Sequence, residues 1–190
     1  MRPSPRDQAS VSIPDYLEVY HLENYLFTTV ANKFVATGNI SLIDLYMIII
    51  WKAPRAKSYA LDRLRRIGKG EAAEAVSMMA TALRDAKEPK NRLKVLMDCF
   101  GFRLATATAI LTVFYPNEFS VYDRRVCEQL KCFEKLADRG FSEGLWSEYQ
   151  DFIEAVRSAV PERTTLRDKD QHLWGKSFYE QCKEELGIET

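Results

Sequence analysis

Cys99-Phe100-Gly101-Phe102-Arg103-Leu104-Ala105-Thr106-Ala107, followed further on by Val121-Tyr122-Asp123-Arg124-Arg125-Val126, is the stretch whose reading decides the fold. Upstream of it, Leu93, Leu96 and Met97 stand at helical spacing and predict a helix over Asn91 to Phe100. Gly101 interrupts that pattern. A second helix is expected over Arg103 to Tyr115, ended by Pro116-Asn117. Its alanines and threonines (Ala105, Thr106, Ala107, Thr108 and Ala109) are small enough to let a neighbour pack closely. A tight turn between two helices leaves backbone N–H groups unpaired at the second helix's N-terminus. Together with the helix dipole they suit a phosphate, and Arg103 adds a cation there.

The remaining chain also reads as helices. Ser12-Ile-Pro-Asp15 predicts a helix start, with the helix running to about Thr37 and stopped by Gly38-Asn39. Ser41-Leu-Ile-Asp44 is a second capping pattern, opening a helix from Leu42 to about Ala53. That helix is apolar on nearly all sides, which predicts a place at the centre of the fold. Pro54 turns the chain, a basic helix is expected over about Ala56 to Ile67, and an alanine-rich one over Glu71 to about Asp85. Helices at Tyr122 to Phe133, Ser142 to Val160 and Thr165 to about Leu186 complete the set, the last capped by Thr165-Leu-Arg-Asp168. No segment alternates strictly in a hairpin context, so no sheet is expected. The fold class is all-α: a compact helical domain over residues 12–190, two lobes around a helical hairpin and a central buried helix, preceded by a loose N-terminus at 1–11.

The quoted stretch resembles the helix-hairpin-helix DNA glycosylases of the endonuclease III and alkyladenine glycosylase type. Their hairpin reads roughly Leu-Pro-Gly-Val-Gly-x-x-Thr-Ala, followed by an apolar helix and a Val-Asp pair about 22 residues after the first glycine. Here Asp123 follows Gly101 by 22 residues. Trp51-Lys52-Ala53-Pro54-Arg55, Ala109-Ile110-Leu111-Thr112 and Leu166-Arg167-Asp168 with Leu173-Trp174 look like a group of bacterial glycosylase-fold proteins. The resemblance spans about residues 15–180. It departs from the family at Phe100, where the family has proline, and at Arg103, where it has the second glycine.

The resemblance implies a DNA N-glycosylase acting in base excision repair. Such a protein would bind duplex DNA through Gly101, Arg103, Ala105, Thr106, Lys52, Arg55 and Arg124, flip a nucleotide, and set Asp123 against the sugar. A carboxylate in a low-dielectric pocket stabilises the positive charge that develops as an N-glycosidic bond breaks, and can orient the attacking water. The flipped base needs an aromatic surface, for which Trp51, Tyr46 and Tyr122 are candidates; core packing is the alternative for each. Relatives that also cut the strand carry a lysine four residues after the first hairpin glycine. That position is Ala105, so no Schiff base and no lyase activity is expected there. Lys94, in the preceding helix, is no obvious substitute.

Asp123 has a second reading as a helix N-cap, compatible with the first. Lys52 and Arg55 have a second reading as a surface turn paired to acids of the C-terminal helices. Asp168 and Trp174 are expected to cap and pack, His172 to be exposed, and Glu143, Glu148, Asp151 and Glu154 to form a solvated face. Two further functions stay open: a nucleic-acid-binding module of the same fold without chemistry, and a helical protein-interaction domain.

Composition narrows the classes. The chain has 190 residues, 46% of them apolar and 28% charged, an ordinary globular balance. The longest strongly apolar run, Leu45 to Trp51, is seven residues, and Met1-Arg2-Pro3-Ser4-Pro5-Arg6 leads into no apolar segment. A membrane span and a secretory signal are therefore not expected, and a cytoplasmic protein is. Cys99, Cys127, Cys132 and Cys182 match no metal or iron–sulfur spacing. They are expected to be small apolar residues, with no metal or other cofactor. Net charge is zero, yet residues 52–105 hold thirteen Lys/Arg against six Asp/Glu, a surplus of seven. Between Lys52 and Lys69 only Asp62 is acidic, a pattern that fits a polyanion-binding surface or a solvated helix face.

Overall fold

The computed structural model describes residues 15–188, and these are helices joined by short turns, with no strand among them. The expected cap at Ser12 and the loose segment 1–11 lie outside the described residues. Helices α1 (Tyr16–Tyr20), α2 (Leu22–Tyr25) and α3 (Ala31–Thr37) follow one another, with a wide π turn at Leu26–Val30. The Asp15 carboxylate caps α1 by accepting from the Leu17 N–H at 2.9 Å. Gly38, at φ +65°, ends α3. Helix α4 (Leu42–Lys52) opens on Ser41, whose hydroxyl accepts from the Asp44 N–H at 3.2 Å. A 3₁₀ turn at Pro54–Ala56 leads into α5 (Lys57–Ile67), then α6 (Ala72–Asp85).

The hairpin forms where the sequence predicts it. Helix α7 (Pro89–Lys94) continues through a π turn at Val95–Cys99, Gly101 takes φ +64°, and α8 (Leu104–Phe114) departs. Helix α9 (Arg124–Leu130), a 3₁₀ turn at Glu134–Leu136, α10 (Glu143–Ala159) and α11 (Leu166–Leu186) complete the chain. The Thr165 hydroxyl caps α11 by accepting from the Asp168 N–H at 3.0 Å.

The centre of the fold is α8, where α4 was expected. Every residue of α8 from Thr106 to Phe114 is buried. In α4, Leu45, Ile48 and Ile49 are fully buried, but Ile43 is exposed and Trp51 half-buried. Short Ala and Thr side chains let α3, α4 and α7 approach α8 from several sides. The bulkier α4 lies nearer the edge of the molecule, and its last turn opens on a cleft.

The loop from α8 to α9 differs from expectation too. The predicted helix start at Tyr122 falls at Arg124: Asp123 is extended and caps α9 with its carboxylate, while Val121 and Tyr122 are held in the loop before it. Val121 donates to Asp170 Oδ2 at 3.2 Å and Tyr122 to Thr108 Oγ1 at 3.0 Å. Lys131 and Phe133, both at positive φ, end α9 before the expected Phe133. Of the cysteines only Cys127 is buried, and burial pushes its thiol up to about 11. Cys99 and Cys132 are exposed, against the expectation for apolar residues.

Thr108 joins the hairpin to this loop: its hydroxyl donates to Ala105 O and accepts from Tyr122 N. Thr108→Val should leave a buried N–H unpaired and cost about 2 kcal/mol. Chemical denaturation should show that loss, and Thr108→Ser should recover most of it. A Val variant as stable as the wild type would show that the hydroxyl does not hold the loop.

Candidate active site

Four elements meet around a cleft of about 1430 Å³. The end of α4 supplies Trp51 and Lys52, α2 supplies Glu23, the start of α9 supplies Asp123 to Arg125, and one face of α11 supplies Arg167, Asp170 and Trp174. At the inner end, the Lys52 ammonium forms an ion pair with Asp123 Oδ2. Both side chains are largely enclosed, 11% and 21% exposed. The other carboxylate oxygen of Asp123 accepts from the Arg125 N–H at 2.8 Å, capping α9. The cap and the site are one residue.

A second charged group lies beside this pair. Asp170, 2% exposed, accepts from Val121 N–H and, at 2.7 Å, from Arg167. The Arg167 guanidinium also pairs with Glu23 and sits over the rings of Phe27 at 4.7 Å and Trp51 at 5.3 Å. It therefore ties α11 to α2 and α4 across the back of the cleft. Burial pushes the Asp170 carboxyl up to about 6, against the opposing pull of Arg167, the Val121 N–H and Lys52.

The outer wall is aromatic and acidic. Trp174 is 42% exposed and stacks on Phe178 with ring centres 5.5 Å apart. The Arg125 guanidinium lies over both rings. The cleft carries six carboxylates (Glu23, Asp123, Glu128, Asp170, Glu180, Glu184) against four cations (Lys52, Arg124, Arg125, Arg167).

The hairpin lies apart from the cleft wall. The N–H groups of Arg103, Leu104 and Ala105 have no acceptor among the described residues. The guanidinium of Arg63, from α5, donates to the Gly101 carbonyl. A Cβ at position 101 would overlap that guanidinium, so the lack of a side chain at Gly101 admits Arg63. Beyond it, Arg55, Lys57, Arg66 and Lys69 are exposed and make no ion pair among the described residues. Helix α5 and the turns at its two ends thus carry a basic ridge of exposed cations, and Arg63 ties the helix to the hairpin turn.

The expected site residues divide accordingly. Lys52, Trp51, Asp123 and Arg124 converge on the cleft. Lys52 is neither on a surface turn nor paired with an acid of the C-terminal helices: it is largely enclosed and pairs with Asp123, the catalytic candidate itself. Arg124 is exposed and pairs with Glu128. Gly101, Arg103, Ala105 and Thr106 form the hairpin and do not line the cleft; Arg103 is exposed and pairs with Asp138 at 2.8 Å, and Thr106 is buried. Arg55 lies on the exposed ridge. Tyr122 is a core residue: 3% exposed, it donates its hydroxyl to Phe133 O at 2.7 Å and packs on Phe152, so it offers no surface to a base. Tyr46 is half-buried on α4 and does not line the cleft either. Trp174, expected in packing, lines the cleft, and His172, expected exposed, is half-buried.

Glu23, Arg125, Arg167 and Asp170 were not expected in the site. A signal for Asp170 exists: Leu166, Asp170, Leu173 and Ser177 recur on one helical stripe, which puts a carboxylate on the buried face of α11. Among the described residues no three His, Cys, Asp or Glu side chains gather as a metal site, and no helix is long and apolar enough to cross a membrane. Comparisons with protein-family models, curated proteins and solved structures found no match.

The raised Asp170 carboxyl makes a pH prediction. Its folded value lies above its unfolded one, so its contribution to stability is fully present below about pH 4 and is lost as pH rises through about 6. The difference between the folded and unfolded carboxyl corresponds to about 3 kcal/mol. The stability gap between the wild type and Asp170→Asn, read from denaturant midpoints, should narrow as pH rises from 4 to 7. A widening gap would mean that the Arg167 pair outweighs burial.

Proposed function

We propose that this chain is a DNA N-glycosylase-like protein, which binds duplex DNA, extrudes one nucleotide and hydrolyses its N-glycosidic bond with Asp123. The observation that carries this reading is the setting of Asp123. It opens a helix 22 residues after the left-handed Gly101, yet its carboxylate faces an accessible cleft beside Trp51. An extruded base would lie against the cleft's aromatic walls, Trp51 and Trp174, with its sugar toward Asp123. The carboxylate would then stabilise the oxocarbenium-like transition state and orient water.

The charge distribution supports a division of labour. Phosphates would be repelled by the cleft's carboxylates and attracted to the α5 ridge, to Arg63 and to the unpaired N–H groups of the hairpin. A single extruded nucleotide satisfies both conditions; a duplex lying inside the cleft does not.

One observation favours a second reading, a nucleic-acid-binding module without chemistry: both Asp123 oxygens already have partners, the Arg125 N–H and Lys52. A base-release assay separates the two. Duplexes carrying uracil, 8-oxoguanine, alkylated purines, mismatches or modified cytosines would be incubated with protein, then treated with hot alkali to reveal abasic sites. Asp123→Asn keeps a competent cap and should lose base release by about 100-fold or more while binding DNA as before. Wild-type binding without release from any duplex would favour the module.

The ridge can be tested separately. Neutralising Arg55, Lys57, Arg66 and Lys69 together should flatten the dependence of log affinity on log salt by about 0.9 for each phosphate that the ridge no longer neutralises. An unchanged slope would remove α5 from the interface.

A further inference from the structure

The geometry points to Tyr59 as a stacking platform for an unpaired base, which makes α5 a surface for single-stranded DNA and not a row of phosphate contacts alone. This inference rests on the proposed reading that α5 faces nucleic acid, and it asks nothing of the chemistry at Asp123. Tyr59 does not line the cleft, so the stacked base and the extruded nucleotide occupy separate sites.

Three observations carry it. Tyr59 is the one aromatic residue between Lys52 and Cys99, and it stands in the middle of the basic segment. It is 61% exposed, while Ala60 and Leu64 form the buried face of α5. The ring therefore adds nothing to the core, and tyrosine is a weaker helix former than the lysines and arginines around it. The second observation is how the ring is braced. The Arg63 guanidinium lies over it, 5.6 Å from the ring centre, and the same guanidinium donates to the Gly101 carbonyl. That acceptor is neutral, so the brace keeps its positive charge. The third is the company the ring keeps. Arg63 and Arg66 follow it by four and seven residues, on the same side of the helix, and Arg55 and Lys57 stand at the turn before it. Asp62, the one carboxylate of the segment, pairs with Arg65 at 3.3 Å.

A cationic track with an aromatic ring set into it matches the chemistry of a single strand: the cations follow the phosphates and the ring takes a base face. Bases inside a duplex have their faces covered by their neighbours and show a side chain only their edges. An unpaired base offers its face, and every base has one, so the site holds a strand without reading its sequence. A protein partner fits this surface less well. The other exposed positions of α5 (Lys57, Ser58, Asp62, Arg65 and Arg66) are all polar, so no apolar patch surrounds the ring. The favoured ligand is therefore DNA that is unpaired where it crosses α5.

The test compares two strands of equal length and charge, an oligothymidylate and the same sugar–phosphate backbone without bases. Affinities of the full chain, wild type, Tyr59→Ala and Tyr59→Phe, would be read by fluorescence anisotropy over a range of salt. The wild type should prefer the thymidine strand. Tyr59→Ala should bind that strand at least about fivefold more weakly, bind the baseless strand as before and keep the wild-type salt slope; Tyr59→Phe should retain the preference. Equal wild-type affinity for the two strands overturns the inference. So does a folded Tyr59→Ala that loses nothing, or loses equally on both. Should Tyr59→Ala not fold, ultraviolet crosslinking of the wild type to the thymidine strand decides: an adduct on the Tyr59 peptide supports the inference, and adducts on other peptides alone overturn it. Base release from a duplex with thymidine-strand binding undiminished in Tyr59→Ala overturns it and leaves the proposed function standing. Stacking without base release supports it and favours the module without chemistry. Failure to bind either strand or any duplex overturns both.

Discussion

A helix with no solvent face has to satisfy its polar side chains within the protein and admit neighbours on every side, and α8 meets both demands with alanine and threonine. Ala107 and Ala109 are fully buried and let adjacent helices come close. Thr112 returns its hydroxyl to the Thr108 carbonyl at 2.7 Å, within the helix. Thr108 does more: its oxygen takes the Tyr122 N–H and so anchors the loop one residue before Asp123. The hairpin's second helix thereby determines where the candidate catalytic carboxylate stands. The 22-residue interval is the path out along α8, around Pro116-Asn117 and back to its middle.

The charged groups behind the cleft pose a different problem. Taking carboxylates and guanidinium out of water is expensive, and mutual attraction in a poorly solvated interior recovers the cost only when geometry is good. An apolar cluster of similar volume would hold α2, α4, α9 and α11 together at least as well. What the charges add is orientation. Arg167 reaches Glu23 on α2, Asp170 on its own helix and the faces of Phe27 and Trp51. Asp170 in turn holds the Val121 N–H. A fixed direction for the loop entering α9 follows from this network, and a preorganised carboxylate needs it more than extra stability.

These two constraints explain which features the sequence discloses. Caps depend on neighbours in the chain, so Ser41, Thr165 and the stop at Gly38 are readable, and so is the hairpin around Gly101. The start of α9 is less so, because the loop before it is held by the Tyr122 N–H donating to a residue fourteen positions away. The run of isoleucines makes α4 stand out, yet α8 is the more apolar of the two helices and carries no charged side chain, and its small residues permit the closest approach. Tyr122 looks like a candidate for a base pocket until its hydroxyl is seen bonded to Phe133 O. The Lys52–Asp123 pair joins residues 71 positions apart and no local pattern announces it.

The zero net charge then takes on a meaning it lacks as a total. Cancellation makes long-range attraction to a polyanion weak, and at physiological salt charges further apart than about 8 Å hardly act on one another. On the proposed reading, recognition of nucleic acid by such a chain would therefore be a short-range matter. The α5 ridge can engage a backbone only where the acidic cleft does not oppose the approach. A polyanion laid across both surfaces gains at one and loses at the other. A duplex that keeps its phosphates on the ridge and sends a single unit past the carboxylates avoids the loss. On the proposed reading, the arrangement would discriminate against unselective binding by repulsion, with the acidic wall of the cleft as much a part of the selectivity as the basic helix α5.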